Sequence, residues 1–289
     1  MKLHYLHKNL EKSIKSTYHE DISFLKLWHY HPESELVYIV QGEGTLYAGD
    51  FIGNFKKNDI FFLGSNLPHM FESASNNSSK ELCSAYVLHI SPAYFEQLPL
   101  DQIEFSLLRN ILTLSKQGIH FKTNRPNIVF ETFKKMMNEN LAFNSLCLLQ
   151  LFLQLQETSS SSPLSNIVYQ TADLNSDKRL QSTLQFIMQN FQSDISLDNA
   201  ASKVGMNKTA FCRYFRHKTG KSFISYLNNI RVQYACKLLS DQQPEKTVSE
   251  ACYLSGFNSL SYFHRIFKKT TGYAPSQFKK ELPSMITAS

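Results

Sequence analysis

The sequence predicts an α+β chain of two parts: a small N-terminal β-barrel with following helices, then an all-α C-terminal domain with two helix-turn-helix units joined by a long helix. Three observations carry this. Residues 22–95 hold short runs of strand-forming residues separated by turn signals. Residues 101–156 switch to leucines at helical spacing. Residues 197–280 contain nearly the same pattern twice, and an internal repeat constrains architecture more strongly than local propensity does.

In chain order, strands are expected at 22–30, 36–40, 44–48, 59–63 and 86–90. Turn signals lie at His31-Pro32, Gln41-Gly42-Glu43-Gly44, Asn58-Asp59 and 74–79. Many short strands with glycine-rich turns suggest a barrel or jelly roll. The stretch 74–80 reads as a hairpin tip. Helices are expected at 101–115 and 127–156, the second apolar on nearly every face from Leu141 to Leu155. About fifteen such residues are too few to span a bilayer, so that helix must be buried on more than one side. One side can pack on the barrel, and the other suits either an intramolecular core or a second subunit. Glu157 to Ser165 is polar, serine-rich and interrupted by a proline, which reads as the start of a linker. The resulting domains are a barrel at 1–100, a helical segment at 101–157, a linker at 158–175, the repeat domain at 176–282 and a frayed tail at 283–289.

Each copy of the repeat is a short helix with small residues, a glycine, and a second helix. Ala200, Ala201 and Gly205 open the first copy, and Ala251, Cys252 and Gly256 the second. Small side chains let helices cross closely, and glycine takes the positive φ that ends a helix tightly. In the second helices, Phe211 and Phe215, like Phe263 and Phe267, sit at i and i+4 and form an inward stripe. The opposite faces carry Lys208, Thr209, Cys212, Arg213 and Arg216 in one copy, and Ser261, His264, Arg265, Lys268 and Lys269 in the other. A helix aromatic inside and basic outside suits the major groove of double-stranded DNA. The plainer alternative is a paired-helix scaffold whose basic faces are only solvated. The copies are 51 to 52 residues apart, and 222–240 between them reads as one amphipathic helix that holds them at a fixed separation.

Charge follows the same division. From Leu174 onward there are 16 Lys+Arg against 7 Asp+Glu, whereas residues 1–173 hold 14 against 17. The excess of positive charge therefore belongs to the repeat domain, as phosphate contact requires. The five cysteines lack paired or CxxC spacing, so neither a zinc finger nor a disulfide framework is indicated and a reducing compartment fits. No apolar run reaches membrane-spanning length and the N-terminus lacks a signal-peptide core, so a soluble, cytoplasmic protein is expected.

The repeat resembles the DNA-binding domain of the AraC/XylS family of bacterial transcription regulators. Its most specific part is Ala251-Cys252-Tyr253-Leu254-Ser255-Gly256-Phe257, then Ser261-Tyr262-Phe263, Arg265-Ile266-Phe267-Lys268-Lys269, Gly272-Tyr273 and Pro275-Ser276-Gln277-Phe278. The resemblance implies a cupin-like effector domain ahead of the DNA-binding domain, a dimerisation role for the helical segment, and activation of transcription. The expected partners are promoter or operator DNA, a small-molecule effector such as a sugar, and a second copy of the chain.

A second constellation lies in the barrel region. His29, His31 and Glu35 precede a Gly42 turn, and His69 follows Leu67-Pro68. Alternation places His29 and His31 on one face with Leu25 and Leu27; Trp28 has the opposite parity, which favours packing. The spacing resembles the first metal motif of the cupin superfamily, while the second motif lacks its Pro-x-Gly and its asparagine. Three readings compete for these four residues: effector ligands, a three-histidine, one-carboxylate metal site, or satisfied core residues. No other cofactor is expected. The rival function is a metal-dependent cupin enzyme with an attached DNA-binding module, although no further acid or base stands out for catalysis.

Overall fold

The computed structural model describes residues 3–6, 12–21, 24, 27–73, 82–137, 141–165, 177–240 and 245–280. The chain divides into two compact units, residues 3–49 with 54–172 in one and residues 173–289 with 50–53 in the other.

The N-terminal part begins with nine strands: β1 (His4–Tyr5), β2 (Ile14–Asp21), β3 (His29–Tyr30), β4 (Ser34–Gln41), β5 (Gly44–Ala48), β6 (Phe51–Phe55), β7 (Ile60–Leu63), β8 (His69–Ser73) and β9 (Cys83–Ile90). It continues through α1 (Pro92–Glu96), α2 (Ser106–Ser115), β10 (Ile119–Thr123), α3 (Pro126–Lys135), α4 (Leu141–Thr158) and β11 (Ser159–Pro163). One sheet has the order β1-β3-β8-β5-β6 and the other β11-β10-β7-β4-β9-β2.

The six-stranded sheet is buried on both faces at its centre. On β4 and β9, Leu36, Tyr38, Tyr86, Leu88 and Ile90 pack in one cluster with Val129 and Phe133 of α3 and with Leu148, Leu151, Phe152 and Leu155 of α4. Alternate residues on the same strands, Glu35, Val37, Ile39, Ala85, Val87 and His89, line a cavity on the other face. Each fully buried side chain of this size contributes about 1.5–3 kcal/mol, so the helical layer is a main source of the sheet's stability.

Several sequence expectations are corrected here. Ser159–Pro163 is a strand paired antiparallel with β10, and the linker therefore does not begin at 158. Serine runs carry little apolar signal, but an edge strand needs only its backbone groups. β10 pairs with β7, so the barrel sheet takes strands from beyond residue 100. The single helix expected at 127–156 is two, since α3 ends at Lys135 and α4 starts at Leu141. Of the strand expected at 22–30, only His29–Tyr30 is extended among the described residues, while β2, rich in charge and hydroxyls, pairs with β9 along its whole length. Trp28 is buried, in keeping with a packing role. The hairpin tip, Leu25, the remaining linker and the tail lie outside the described residues.

The C-terminal part is helical: α5 (Lys178–Asn190), α6 (Leu197–Lys203), α7 (Lys208–Thr219), α8 (Phe223–Ser240), α9 (Val248–Leu254) and α10 (Leu260–Thr271). Its caps explain its boundaries. Ser196, Asn207, Thr247 and Ser259 each accept a backbone N–H two or three residues into the helix that follows, and Thr247 with Glu250 forms a reciprocal capping box. Gly220 and Gly272 end α7 and α10 in left-handed conformation. Phe211, Phe215, Phe223 and Tyr226 form one aromatic cluster, and Phe257, Phe263 and Phe267 pack with Val232, Ala235 and Leu239 of α8 in another.

Contacts at both ends brace α5 against the repeats. At its start, Asp177 caps the helix, accepts the Tyr214 hydroxyl at 2.7 Å and pairs with Lys218 at 3.3 Å. Past its end, the Phe191 carbonyl accepts Arg231 Nε at 2.7 Å, and Gln192 Nε2 donates to the Leu254 carbonyl at 3.1 Å.

The two turn glycines differ in their surroundings. Both have positive φ, 65° at Gly205 and 87° at Gly256, but a Cβ at Gly205 would meet nothing whereas one at Gly256 would run into the Phe191 carbonyl. Gly205→Ala should therefore cost only the conformational penalty, about 1–2 kcal/mol, and Gly256→Ala clearly more; equal shifts of the urea midpoint followed by far-UV circular dichroism would contradict this packing. At Asp177, burial raises the carboxyl, but the Tyr214 hydroxyl, the Leu180 amide and Lys218 outweigh it and hold it below its ordinary value. A depressed folded value means stability that is present above about pH 4 and lost as pH falls further. Asp177→Asn should thus destabilise by about 1 kcal/mol at pH 7, a difference that closes in acid; a pH-independent difference would rule out the charge contribution.

Candidate functional site

Two sites emerge, one in each part. On α7, the aromatic stripe is buried and Lys208, Thr209, Cys212, Arg213 and Arg216 are exposed. On α10, Phe263 and Phe267 are buried and Ser261, His264, Arg265, Lys268 and Lys269 are exposed. The structure thus places all ten residues on solvent-facing surface. Arg265 lies over the Tyr262 ring at 5.1 Å, which stiffens a long side chain. Lys208 pairs with Asp198 at 3.0 Å in an exposed position, a weak bond that a phosphate oxygen can replace. Lys268 and Lys269 occupy the last turn of α10, where cations complement the helix dipole.

In the barrel, His29 and His69 face each other directly across β3 and β8, and Glu35 on β4 stands opposite His89 on β9. Register brings His29 to His69 and Glu35 to His89, while His31 reaches Glu35 from four residues away along the chain. One donor atom from each of His29, His31, Glu35 and His69 lies within 4.8 Å of all the others. Glu35 Oε2 stands 2.9 Å from His31 Nε2, 3.1 Å from His89 Nε2 and 3.4 Å from His69 Nε2. Burial pushes the Glu35 carboxyl up, but the charge of His89 and the hydrogen bond from His31 outweigh it and hold it well below the usual range. His29 is pushed down to about 3 by burial and by His69, so its ring is neutral.

The backbone fixes the orientation of two rings. His29 Nδ1 donates to the Leu27 carbonyl at 2.7 Å and His69 Nδ1 to the Leu67 carbonyl at 2.8 Å. Each ring thereby presents Nε2 as its remaining nitrogen.

A cavity of about 340 Å³ opens beside this cluster. Glu35, His29 and His89 form a polar end, Val37, Ile39, Phe71, Ala85 and Val87 an apolar wall, and His19, Glu20 and Asp21 further polar lining. All four barrel residues expected from the sequence converge. His89 was not anticipated, because it sits in the apolar run of β9, where burial on both faces hides which residues point inward. Only its pairing with Glu35 reveals it.

Comparison with known proteins follows the same division. The sequence model of the "AraC-like ligand binding domain" matches residues 17–111, and that of a "Helix-turn-helix domain" matches residues 200–281. Across 95% of the chain and 94% of the relative, it is 23% identical to the uncharacterized HTH-type transcriptional regulator YdeC of Bacillus subtilis. It is also 23% identical to the HTH-type transcriptional activator RhaS of an Enterobacter species, covering 87% of each. Over a shorter stretch, 36% of this chain and 61% of the relative, it is 33% identical to an HTH-type regulator encoded near cgkA in Pseudoalteromonas carrageenovora. These relatives are transcription regulators, which sets aside the reading as a metal-dependent enzyme. With an AraC-like ligand-binding domain followed by a helix-turn-helix domain, the chain has the make-up of an effector-responsive, DNA-binding transcription regulator of the AraC type.

Proposed function

We propose that α7 and α10 are the recognition helices, and that the 340 Å³ barrel cavity receives the effector. The observation that carries this is the pairing of two exposed basic helix faces, each backed by a buried aromatic stripe, with a separate cavity that is apolar along one wall and polar at one end. Thr209, Cys212 and Arg213, with Ser261, His264 and Arg265, are assigned to base edges. Lys208, Arg216, Lys268 and Lys269 are assigned to phosphates.

The cavity suits a small metabolite with an apolar body and a polar head that meets Glu35, His29 and His89. A sugar remains within this class, since its ring faces are apolar. Binding must favour one arrangement of the chain over another, typically by about 1–3 kcal/mol, for occupancy to alter DNA binding. Regulation is read as activation, since the similar RhaS of Enterobacter is a transcriptional activator.

The second subunit is read as docking on α4. One face of α4 is buried in the helical layer, while Phe143, Leu146 and Leu153 are exposed, Leu146 to 69%. A stripe of this kind on a helix otherwise buried suits an isologous homodimer. Among the described residues no helix is long and apolar enough to cross a membrane, which fits a cytoplasmic site of action.

Binding to genomic fragments across a salt series, with and without a metabolite panel, tests the reading. Arg213→Ala should weaken specific binding by about 1–3 kcal/mol and relax selectivity at one or two base pairs. If its affinities for specific and random DNA fell by the same factor, Arg213 would be a phosphate contact. Ala85→Leu, which adds bulk to the cavity wall, should abolish the effector response and leave effector-free DNA binding unchanged; a retained response would place the effector elsewhere.

A further inference from the structure

We propose that His29, His31, Glu35 and His69 hold a divalent transition-metal ion at the polar end of the barrel cavity. This goes beyond the effector reading and stands independently of it, because it concerns an inorganic ion that these four side chains bind by themselves.

The first argument is the donor set. Three imidazoles and one carboxylate, each offering a donor within 4.8 Å of the rest, form the only such group found among the described residues. Bonds of about 2.0–2.2 Å to a tetrahedral ion place the donors about 3.4 Å apart, so donors now up to 4.8 Å apart would close in by up to about an ångström or slightly more through side-chain rotation. This set suits zinc, cobalt, nickel or iron better than magnesium or calcium, which prefer oxygen throughout.

The second argument is independent of proximity. His69 Nε2 is buried and has no hydrogen-bond partner, although Glu35 Oε2 lies 3.4 Å away. Its Nδ1 proton is committed to the Leu67 carbonyl, so Nε2 presents a lone pair towards a carboxylate. His29 is arranged in the same way by the Leu27 carbonyl. Two lone pairs directed at an anion repel unless a cation lies between them. A ring whose far N–H is held by a backbone carbonyl is also the usual support of a metal-bound histidine. Glu35 and His29 border the cavity, so an ion there would keep a side open to a further ligand.

His89 has a different place. It stands 3.1 Å from Glu35 and outside the four-residue donor group, which makes it a partner that orients the carboxylate.

The test uses the untagged full-length protein, stripped with a chelator and dialysed, and needs no DNA. Titration with Co²⁺ or Zn²⁺ should show one equivalent bound per chain at micromolar affinity or tighter, with a rise in melting temperature. X-ray absorption of the zinc-loaded wild type should resolve imidazole scatterers. His69→Ala and, separately, His29→Ala should each weaken binding at least 10-fold; far-UV circular dichroism establishes that each variant is folded, and if either is not, the wild-type absorption spectrum decides alone. Absence of stoichiometric binding, a spectrum without imidazole, or binding unchanged in both folded variants would overturn the proposal. Loss of DNA binding or of effector response leaves all of these readouts intact, so the two readings fail separately.

Discussion

Burial of one sheet on both of its faces is the constraint on which the sensor part depends. Leu36 and Tyr38 face the α3 and α4 layer, while Glu35, Val37 and Ile39, their neighbours on the same strand, face the cavity. β9 repeats this division with Tyr86, Leu88 and Ile90 on one side and Ala85, Val87 and His89 on the other. Alternation is strict within a strand, so a ligand that shifts Val37 or Val87 necessarily presses on the strand that supports Tyr38 and Leu88. Close-packed interiors transmit such displacements and do not absorb them. The strand is therefore a short mechanical route from the cavity to α4, which also carries the exposed stripe of Phe143, Leu146 and Leu153.

The same geometry explains why a carboxylate can stand in this barrel at all. A buried anion costs several kcal/mol unless it is paired. Glu35 recovers that cost because its β4 position sits opposite His89, 3.1 Å away, and because the His31 ring stands 2.9 Å from the same carboxylate oxygen. Replacing any one of these rings with an apolar group would leave a buried charge with less compensation. The cluster is thus a point of concentrated electrostatic energy at one end of an otherwise apolar cavity, which gives an incoming polar group a defined place to go.

Legibility in the sequence varied with how local the determining interaction is. The helix-turn-helix units were readable because their signals are local: the Phe211 and Phe215 pair, the Phe263 and Phe267 pair, capping side chains, and glycines with positive φ. The four barrel residues were readable as a motif, and the structure brings them together. His89 was not, because a strand such as β9, buried along its whole length, has no polar alternation to show its inward face. β2 was missed for the opposite reason: half-exposed and polar, it draws its stability from the ladder with β9 and not from its own composition. β11 is likewise a serine run whose conformation comes from β10. Non-local pairing energy is invisible in a window of neighbouring residues.

The spacing of α7 and α10, the proposed recognition helices, rests on more than the long helix between them. α8 packs against Phe263 and Phe267 through Val232 and Ala235, and its first turn joins the Phe211 and Phe215 cluster through Phe223. α5 supplies a second strut about 20 Å long. Its first end is tied to α7 through Asp177, Tyr214 and Lys218. Beyond its far end, the Phe191 and Gln192 backbone lies so close to Gly256 that no side chain fits there, and Arg231 and Leu254 bond to the same turn. Two struts resist twisting in a way that a single helix cannot. On the proposed assignment, a pair of basic faces held in this manner would meet DNA at one separation only, so groove geometry would add to the selectivity that base contacts supply.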